Sequence, residues 1–282
     1  MQMVKVVGLM TGLTVLLVGF GSYLGGSQGA VLFLVIAAVM NFGMYWFSDR
    51  AVLKMYRARI LRPEDAPDLY RMVDRLRQGA GLPMPTLALA PSEQPNAFAT
   101  GRNPAHAVVC VTAGIVRLLP PRELEGVIAH ELAHIKHRHM LVGTVAATMA
   151  GAVAMLASVA RWGMIFGMGG RDDRGQNPLG LLVMAIVAPL AAMIVQLAIS
   201  RQNEFQADAT AAGLTRDPRG LASALQRIEG YASKIPMPVN PAAAQLAIIN
   251  PLRGGHAPAL AGLFRTHPPT EERVARLNEL QV

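Results

Sequence analysis

A long uncharged stretch near the start of the chain limits what the protein can fold into. Residues 6–48 contain no charged side chain and no histidine, and a helix of about 20 apolar residues is enough to cross a bilayer. The stretch is too long for one crossing, and the glycine-rich segment 21–29 divides it. We therefore predict a transmembrane hairpin with spans at 6–24 and 30–47. A cleaved signal peptide is the alternative for the first span, although only Lys5 precedes it closely and a second apolar run follows.

Two later uncharged runs, residues 140–160 and 175–200 around a helical core of 179–199, predict a second transmembrane hairpin. Each run is long enough to span a bilayer, and the glycine-rich loop 161–178 separates them. The composition agrees with a membrane protein, because 52% of the 282 residues are hydrophobic and only 16% are charged. In soluble domains roughly a quarter of the residues are charged. A buried hairpin inside a helical soluble domain is the alternative explanation for these two runs.

The net charge of +8 is explained by membrane topology. Segment 49–62 carries five lysine or arginine residues and one acid, and such clusters mark the cytoplasmic side of a transmembrane span. Two pairs of crossings then place both termini on the cytoplasmic side, so we predict a multi-pass protein of the cell (inner) membrane.

A net positive charge can also indicate nucleic-acid binding, but aromatic residues make up only 5% of the chain and no basic run alternates with them. We therefore expect no nucleic-acid partner.

The segments outside the predicted membrane hairpins favour helices. Apolar residues recur at helical spacing in 63–81 and 214–234, and Pro268 stands at the start of a third helix over 268–280. Residues 235–265 are rich in proline and glycine, which predicts a segment of loops.

Three short apolar runs, 86–90, 96–100 and 107–112, predict strands of a small sheet. The single cysteine, Cys110, lies in the last run, so an intramolecular disulfide is excluded and a core position is expected. An edge strand of a sheet can bind an extended peptide through its backbone, although ordinary packing explains the same residues. The possible substrate strand consists of Asn96, Ala97, Phe98 and Ala99.

The sequence Val-Ile-Ala-His-Glu-Leu-Ala-His-Ile at 127–135 indicates a metal site. His130 and His134 are four residues apart and share one face of a helix. Neutral imidazole nitrogens suit zinc. Glu131 lies about 100° around the helix, where a carboxylate can reach a water on the metal and take its proton. The alternative is a helix whose histidines only cap it or pair with carboxylates.

The other histidines near the motif do not complete a known pattern. The metzincin class requires glycine and histidine at 137 and 140, whereas this chain has His137 and Met140. We expect His137 and His139 on the surface, at the end of the helix. His267 is a possible stabiliser of an oxyanion, and the alternative is a residue that merely precedes the last helix.

A third ligand is expected in residues 201–208. A membrane hairpin between His134 and this segment returns the chain to the same side of the bilayer. Glu204 and Asp208 are four residues apart and share a helix face. We assign Glu204 to the metal and Asp208 to a hydrogen bond that fixes the tautomer of a ligand histidine. A solvated helix face is the alternative.

Several further segments give a resemblance that covers nearly the whole chain. The chain resembles the HtpX-type family of membrane-bound zinc metalloproteases, which is related to the CAAX prenyl proteases. This resemblance implies that His130, His134 and Glu204 bind zinc, that Glu131 is the base, and that misfolded membrane proteins are cleaved. Loop 161–178 matches no motif of that family. The matching segments are PNAFATG (95–101), VTAGI (111–115), HELAH (130–134), SRQNEFQAD (200–208), INPL (249–252) and THPPTEER (266–273).

Together these features predict a mainly α protein with a small β-sheet. It has about four transmembrane helices and a cytoplasmic gluzincin-type metalloprotease domain, with one Zn²⁺ ion per chain. The predicted function is endoproteolysis of misfolded or damaged membrane proteins and unfolded polypeptides at the lipid bilayer, in quality control and the stress response; the oligomeric state stays open.

Two alternative functions remain: an intramembrane site-2-type protease, and a non-catalytic chaperone or adaptor with a structural zinc site. The predicted divisions are an N-terminal hairpin (1–47), a protease domain in two parts (48–140 and 200–282) and a second hairpin (141–199).

Overall fold

The structure of the protein is a computed structural model. It describes residues 2–146, 148, 149, 201–232, 248 and 268–281, without the side chains of Gln2, Leu24 and Ala232. Most of the predicted second hairpin, loop 161–178, the predicted loop 235–265 apart from Ile248, and His267 lie outside the described residues.

The N-terminal helix, α1 (Gln2–Met55), is a hairpin of two apolar arms. The helix is interrupted at Gly25 and Gly26, and Gly26 has φ 58° with ψ −141°, a conformation that favours glycine. The arms Met3–Tyr23 and Gly25–Met55 are long and apolar enough to cross a membrane. They lie antiparallel, since the Asn41 side-chain amide donates to the Thr14 hydroxyl at 2.9 Å. The two apolar N-terminal helices and a break within 21–29 are thus confirmed.

A four-stranded mixed sheet follows α1 in the chain. Its strands, numbered in chain order with the bounds given at the end of this paragraph, are arranged β1-β2-β4-β3 across the sheet. Strands β2 and β4 are parallel, and the other neighbouring pairs are antiparallel. The three predicted strands are confirmed within one residue. Strand β1 was missed because it is only two residues long and lies in the basic segment. The strands are β1 (Arg59–Ile60), β2 (Thr86–Ala90), β3 (Ala97–Gly101) and β4 (Ala107–Thr112), with a 3-10 turn at Pro104–His106 before β4.

The sheet joins the end of α1 to the helical core. Successive side chains of a strand point to opposite faces, and Phe98 and Cys110 accordingly pack with Val52 and Tyr56 at the end of α1. The Tyr56 and Phe98 rings are 4.4 Å apart between centroids. On the opposite face the alanines of β3 pack with the helices. Cys110 is fully buried, as its apolar surroundings predicted.

Helix α4 lies at the centre of the helical core. It contacts α2, α5, α6 and the strands β3 and β4. The predicted helices 63–81, 214–234 and 268–280 correspond to α2, α6 and α7, which begin two to four residues later than predicted. The protein is mainly helical in its described parts, as predicted. The helices are α2 (Pro67–Ala80), α3 (Ala113–Leu118), α4 (Pro121–Lys136), α5 (Arg201–Thr215), α6 (Pro218–Ala232) and α7 (Thr270–Glu279).

A turn after α4 redirects the chain into a further helical segment. Arg138 has a φ of 57°, and helical conformation resumes at His139 and continues through the described residues up to 149. In this segment Leu141 and Val145 pack against Val6 of α1. The start of the predicted second hairpin therefore packs on the first one.

The approach of α4 to α6 generates a stability prediction. A Cβ atom added at Gly126 would lie 2.8 Å from the Leu221 backbone nitrogen and 2.9 Å from its Cα. Because backbone atoms cannot move aside as a side chain does, we expect Gly126→Ala to lower the free energy of unfolding by about 1–3 kcal/mol. Thermal unfolding of the purified protein in detergent would measure this loss.

The control is Gly213→Ala in α5, where an added Cβ would meet nothing within 4 Å. Alanine is a better helix former than glycine by about 0.5–1 kcal/mol, so this variant should be neutral or stabilised. Equal behaviour of the two variants would contradict the close contact of α4 and α6.

Candidate metal centre

Two histidines on α4 point their rings at one another. Because they are four residues apart, His130 and His134 occupy the same helix face, and their Nε2 atoms are 3.0 Å apart. The ring planes are nearly perpendicular, at 87°, with centroids 4.6 Å apart. His130 is only 1% exposed. The predicted pair therefore converges on one point inside the protein.

Helix α5 brings Glu204 to the same point. Its Oε1 lies 3.4 Å from His134 Nε2, and its Oε2 lies 3.8 Å from His130 Nε2. The possible ligand atoms of the three residues all fall within 4.8 Å of one another. Residues 70 positions apart in the chain thus supply one group of donors.

The arrangement fits a zinc ion. Two imidazole nitrogens and a carboxylate are a common zinc donor set, and a tetrahedral ion with bonds of about 2.0–2.1 Å spaces its ligand atoms roughly 3.3 Å apart. The three observed separations lie on either side of that value. A three-residue set also leaves one tetrahedral position open for water or substrate.

The buried charges also fit a divalent cation. Among the described residues, three buried carboxylates surround the site, from Glu131, Glu204 and Asp208, and one buried cation, Arg273, faces them. With neutral histidines the ionised site carries two excess negative charges. Buried charge is costly unless it is compensated, and a divalent metal ion would supply the missing compensation.

Asp208, which the sequence analysis assigned to a hydrogen bond with a ligand histidine, lies behind His130. Its Oδ1 is 2.9 Å from His130 Nδ1. A carboxylate at that distance can accept an Nδ1 proton, which would leave the lone pair of the imidazole on Nε2, the nitrogen that faces His134 and Glu204. This is the tautomer that a metal ion at Nε2 would require.

Arg273, on α7, is a site residue that the sequence reasoning missed. It is 1% exposed, and its Nε and Nη2 donate to the two oxygens of Asp208 at 2.8 and 2.7 Å. Its Nη1 lies 3.6 Å from Glu204 Oε2 and donates to the Ile248 carbonyl at 3.1 Å. A signal existed, because Arg273 stands four residues before Leu277 on the buried face of α7. A cation on an apolar face requires a buried acid.

The electrostatics of the ion pair favour charged forms. Burial opposes ionisation of Asp208, but the Arg273 guanidinium and His130 outweigh it and lower the pKa of Asp208 to about 2. Burial likewise opposes the charge of Arg273, and Asp208 and Glu204 more than compensate, so the Arg273 pKa is raised. Burial lowers the pKa of His134 well below its usual value, and this favours the neutral ring that binds metal.

Glu131 lies beside the sheet. Its carboxylate accepts a hydrogen bond from the Ala99 backbone N–H in β3, and the side chain is 4% exposed. Burial and the nearby charge of Glu204 raise the pKa of Glu131 well above its usual value, although the Ala99 N–H and Arg273 oppose this. Of the four predicted strand residues, Ala97, Phe98 and Ala99 begin β3, and Asn96 directly precedes it.

The expectation that His139 lies on the surface was wrong. This residue is 7% exposed, and its Nδ1 lies 3.2 Å from His134 Nδ1. The left-handed conformation of Arg138 turns the chain back towards α4, which helical spacing alone could not indicate. His137 is partly buried, and its Nε2 hydrogen-bonds to the Thr210 hydroxyl at 2.9 Å.

Known proteins are similar to this chain in amino-acid sequence. A profile of Peptidase family M48 matches residues 63–281. A protein of Gemmatimonas aurantiaca named "Protease HtpX homolog" is 56% identical over 282 residues, which cover 99% of each chain. A protein of the same name from Pelotomaculum thermopropionicum is 51% identical over 284 residues, with both chains fully covered.

A solved structure resembles this one in fold. The crystal structure of S. mikatae Ste24p aligns with 98% of this chain with a TM-score of 0.51 and 19% sequence identity. The alignment spans 65% of that longer chain. At this identity the likeness concerns the fold alone.

The ion pair of Asp208 with Arg273 predicts how stability depends on pH. The folded pKa of Asp208, about 2, is below its unfolded value of about 3.9, so this group contributes stability above pH 4 that is lost as the pH falls towards 2. In Arg273→Met the carboxylate stays buried without its cation, and burial then raises its pKa, which reverses the sign. We expect the variant to lose about 3–5 kcal/mol of unfolding free energy at pH 7 and less at pH 4.

Denaturant unfolding at pH 7 and pH 4 measures the two free energies. The protein is first freed of metal with a chelator, because metal binding would add its own pH dependence. The control is Arg276→Met on the same helix, which removes an exposed pair with Glu272 and a cation–π contact with Phe205, each expected to contribute at most about 1 kcal/mol at an exposed site. A loss for Arg273→Met that is independent of pH would contradict the assigned pKa of Asp208.

Proposed function

The chain belongs to peptidase family M48 and is a metalloprotease, and from this premise we propose that it cleaves polypeptides with one zinc ion held by His130, His134 and Glu204. The observation that carries the proposal is the convergence of these three donors from two helices. A zinc ion in such a site would act as a Lewis acid, lowering the pKa of a bound water and polarising the peptide carbonyl.

We assign proton transfer to Glu131. Its carboxylate is buried next to Glu204, and these surroundings raise its pKa well above the usual range. A general base works best when its pKa is near the operating pH. Glu131 would take a proton from the attacking water and return it to the amine that leaves. It is the residue after His130 and therefore lies off the face that presents the donor atoms.

We propose that the outer edge of β3 binds the substrate backbone. In an antiparallel pair, alternate residues direct their N–H and C=O groups to the same side. The Asn96 carbonyl accepts from Thr112 N–H in β4, whereas the Ala99 N–H turns to Glu131. By the same alternation Ala97 also faces outward. A substrate strand paired at this edge would lie beside Glu131 and would take the Ala99 N–H from it.

Backbone pairing suits substrates without a defined sequence. The main-chain groups of every polypeptide are alike, so an edge strand binds extended segments with little regard to side chains. We therefore propose misfolded or damaged membrane proteins and unfolded polypeptides as the substrates, in quality control and the stress response. An unfolded segment exposes its main chain, whereas a folded domain has already paired it.

We propose a multi-pass protein of the cell (inner) membrane with four spans, a cytoplasmic site and cytoplasmic termini. The basic segment 49–62 follows the two apolar arms of α1 and supports this orientation. The end of α1 packs on the same sheet that borders Glu131. Helix α4 of segment 48–140 packs with α5 and α6 of segment 200–282, which supports one protease domain built from both.

Two rivals fit the contacts less well. In an intramembrane site-2-type protease the motif helix lies within lipid, but α4 begins with Arg122 and Glu125, which pair with Asp217 and Arg75. Charged groups are costly at bilayer depth. A chaperone with a structural zinc site needs a fourth protein ligand, and in the described parts of the chain the group of candidate ligands has only three members.

Substitutions at Glu131 and Glu204 should separate catalysis from metal binding. We expect Glu131→Gln to retain zinc but to lose proteolysis on the order of 10²-fold or more, since it removes only the base. Glu204→Ala should lose zinc as well as activity, because it removes a ligand. The measurements are zinc per protein after dialysis against a mild chelator, and cleavage of casein.

The control for these substitutions is Glu271→Ala, which changes an exposed glutamate of α7 and should leave both quantities unchanged. Near-normal cleavage by Glu131→Gln would refute its role as the base. Full zinc retention by Glu204→Ala would move the third ligand elsewhere.

Proline substitutions test the substrate strand. Ala97→Pro removes an N–H from the outer edge of β3 and leaves the ladder to β4 intact, and proline is tolerated at such positions. We expect it to raise KM for an extended peptide while the thermal midpoint stays near that of the wild type. Phe98→Pro, the control, removes an N–H that faces β4 and should lower the midpoint as well. Unchanged peptide cleavage by Ala97→Pro would exclude this edge as the substrate site.

A further inference from the structure

We propose that His139 is a positioning residue for His134 and holds its ring in the tautomer and orientation that present Nε2 to the metal. This inference rests on the function proposed above. It assigns a role to a residue that lies outside the HELAH motif and that contacts no other proposed ligand within hydrogen-bonding distance. His139 acts through His134 and is not itself a ligand in this arrangement.

The two ligand histidines are held in corresponding ways. Their Nε2 atoms face each other at 3.0 Å, so both Nδ1 atoms point away from the metal position. The Nδ1 of His130 is engaged by Asp208 at 2.9 Å, and the Nδ1 of His134 is engaged by His139 at 3.2 Å. The nearest partner of the outer nitrogen is a carboxylate for His130 and an imidazole for His134, and Arg273 Nη2 lies farther from His130 Nδ1, at 3.4 Å.

Metal binding fixes the direction of the hydrogen bond between the two rings. If His139 Nδ1 donated to His134 Nδ1, neutral His134 would carry its proton on Nε2 and could not bind an ion there. His134 must therefore donate and His139 must accept. In that tautomer the other nitrogen of His139 carries the proton. The Gln206 side chain, between Glu204 and Asp208 in the chain, hydrogen-bonds to the His139 ring.

The backbone brings His139 to His134 by interrupting the helix. On a continuous helix a residue five positions on lies about 140° around the axis, so His139 would point away from His134. Helix α4 instead ends at Lys136, and Arg138 adopts a φ of 57°, a conformation that is unfavourable for a residue with a Cβ atom. The new helical segment then begins with His139 facing His134.

The same contact connects the metal site to the membrane hairpin. His139 opens the helical segment whose Leu141, Val142 and Val145 pack on α1. A residue fixed by that packing keeps His134 in place from outside α4. The alternative role is space filling, in which any side chain of similar volume would serve.

Three substitutions at His139 distinguish positioning from space filling. The amide oxygen of His139→Asn stands near the position of Nδ1 and can accept the bond from His134. In His139→Gln the amide stands near the position of Nε2, and His139→Leu fills the volume without any acceptor. The matched control is His106→Leu, because His106 is an exposed histidine whose ring bonds to Asn103; His137 is unsuitable, since its ring stacks on that of His139.

The experiment uses the full-length chain in detergent. It measures zinc affinity by competition with a chelator, the visible spectrum of the cobalt-substituted protein, and kcat and KM for a peptide. We expect His139→Leu and His139→Gln to bind zinc about 10–100-fold more weakly with an altered cobalt spectrum. His139→Asn should regain most of the affinity, and His106→Leu should match the wild type.

Two outcomes would overturn the inference. One is wild-type zinc affinity and an unchanged cobalt spectrum in His139→Leu. The other is an equal loss in the Asn, Gln and Leu variants, which would show that the imidazole volume alone matters. A wild-type protein that binds no zinc would instead refute the proposed function, so the two failures are distinguishable.

Discussion

The Asp208 carboxylate connects three helices that are far apart in the chain. It lies on α5, accepts two hydrogen bonds from Arg273 on α7, and contacts His130 on α4. All three side chains are buried, and breaking a buried ion pair leaves an uncompensated charge that is costly. This connection places a proton acceptor next to His130 Nδ1 and at the same time holds α5 where Glu204 faces the two histidines.

The sheet connects the candidate site to the apolar hairpin α1. One face of β3 packs on the end of α1 through Phe98 and Tyr56, and the alanines of the other face pack on the helical core. The Thr100 hydroxyl also bonds to Thr144, in the helical segment after α4, at 3.0 Å. The strand that borders Glu131 is therefore held by apolar helices from two parts of the chain. The proposed substrate edge is thereby held next to the two apolar arms of α1.

The three buried carboxylates of the site face one buried cation. Glu131, Glu204 and Asp208 lie close to Arg273, and one arginine compensates one of them. The remaining negative charge favours a divalent cation and, without it, favours protonation of Glu131, whose pKa burial already raises. Metal binding and the protonation of the proposed base are therefore coupled by electrostatics.

The sequence by itself determined the local features of this protein. Helical periodicity placed His130 with His134 and Glu204 with Asp208, and the uncharged stretch before residue 49 predicted two apolar arms. These patterns depend on spacing along one element. Only the tertiary structure decided the partners, since Arg273 reaches Asp208 across 65 residues and His139 reaches His134 through a left-handed turn at Arg138. The physical reason is that spacing fixes the face a side chain shares, whereas the packing of distant elements fixes what that face meets.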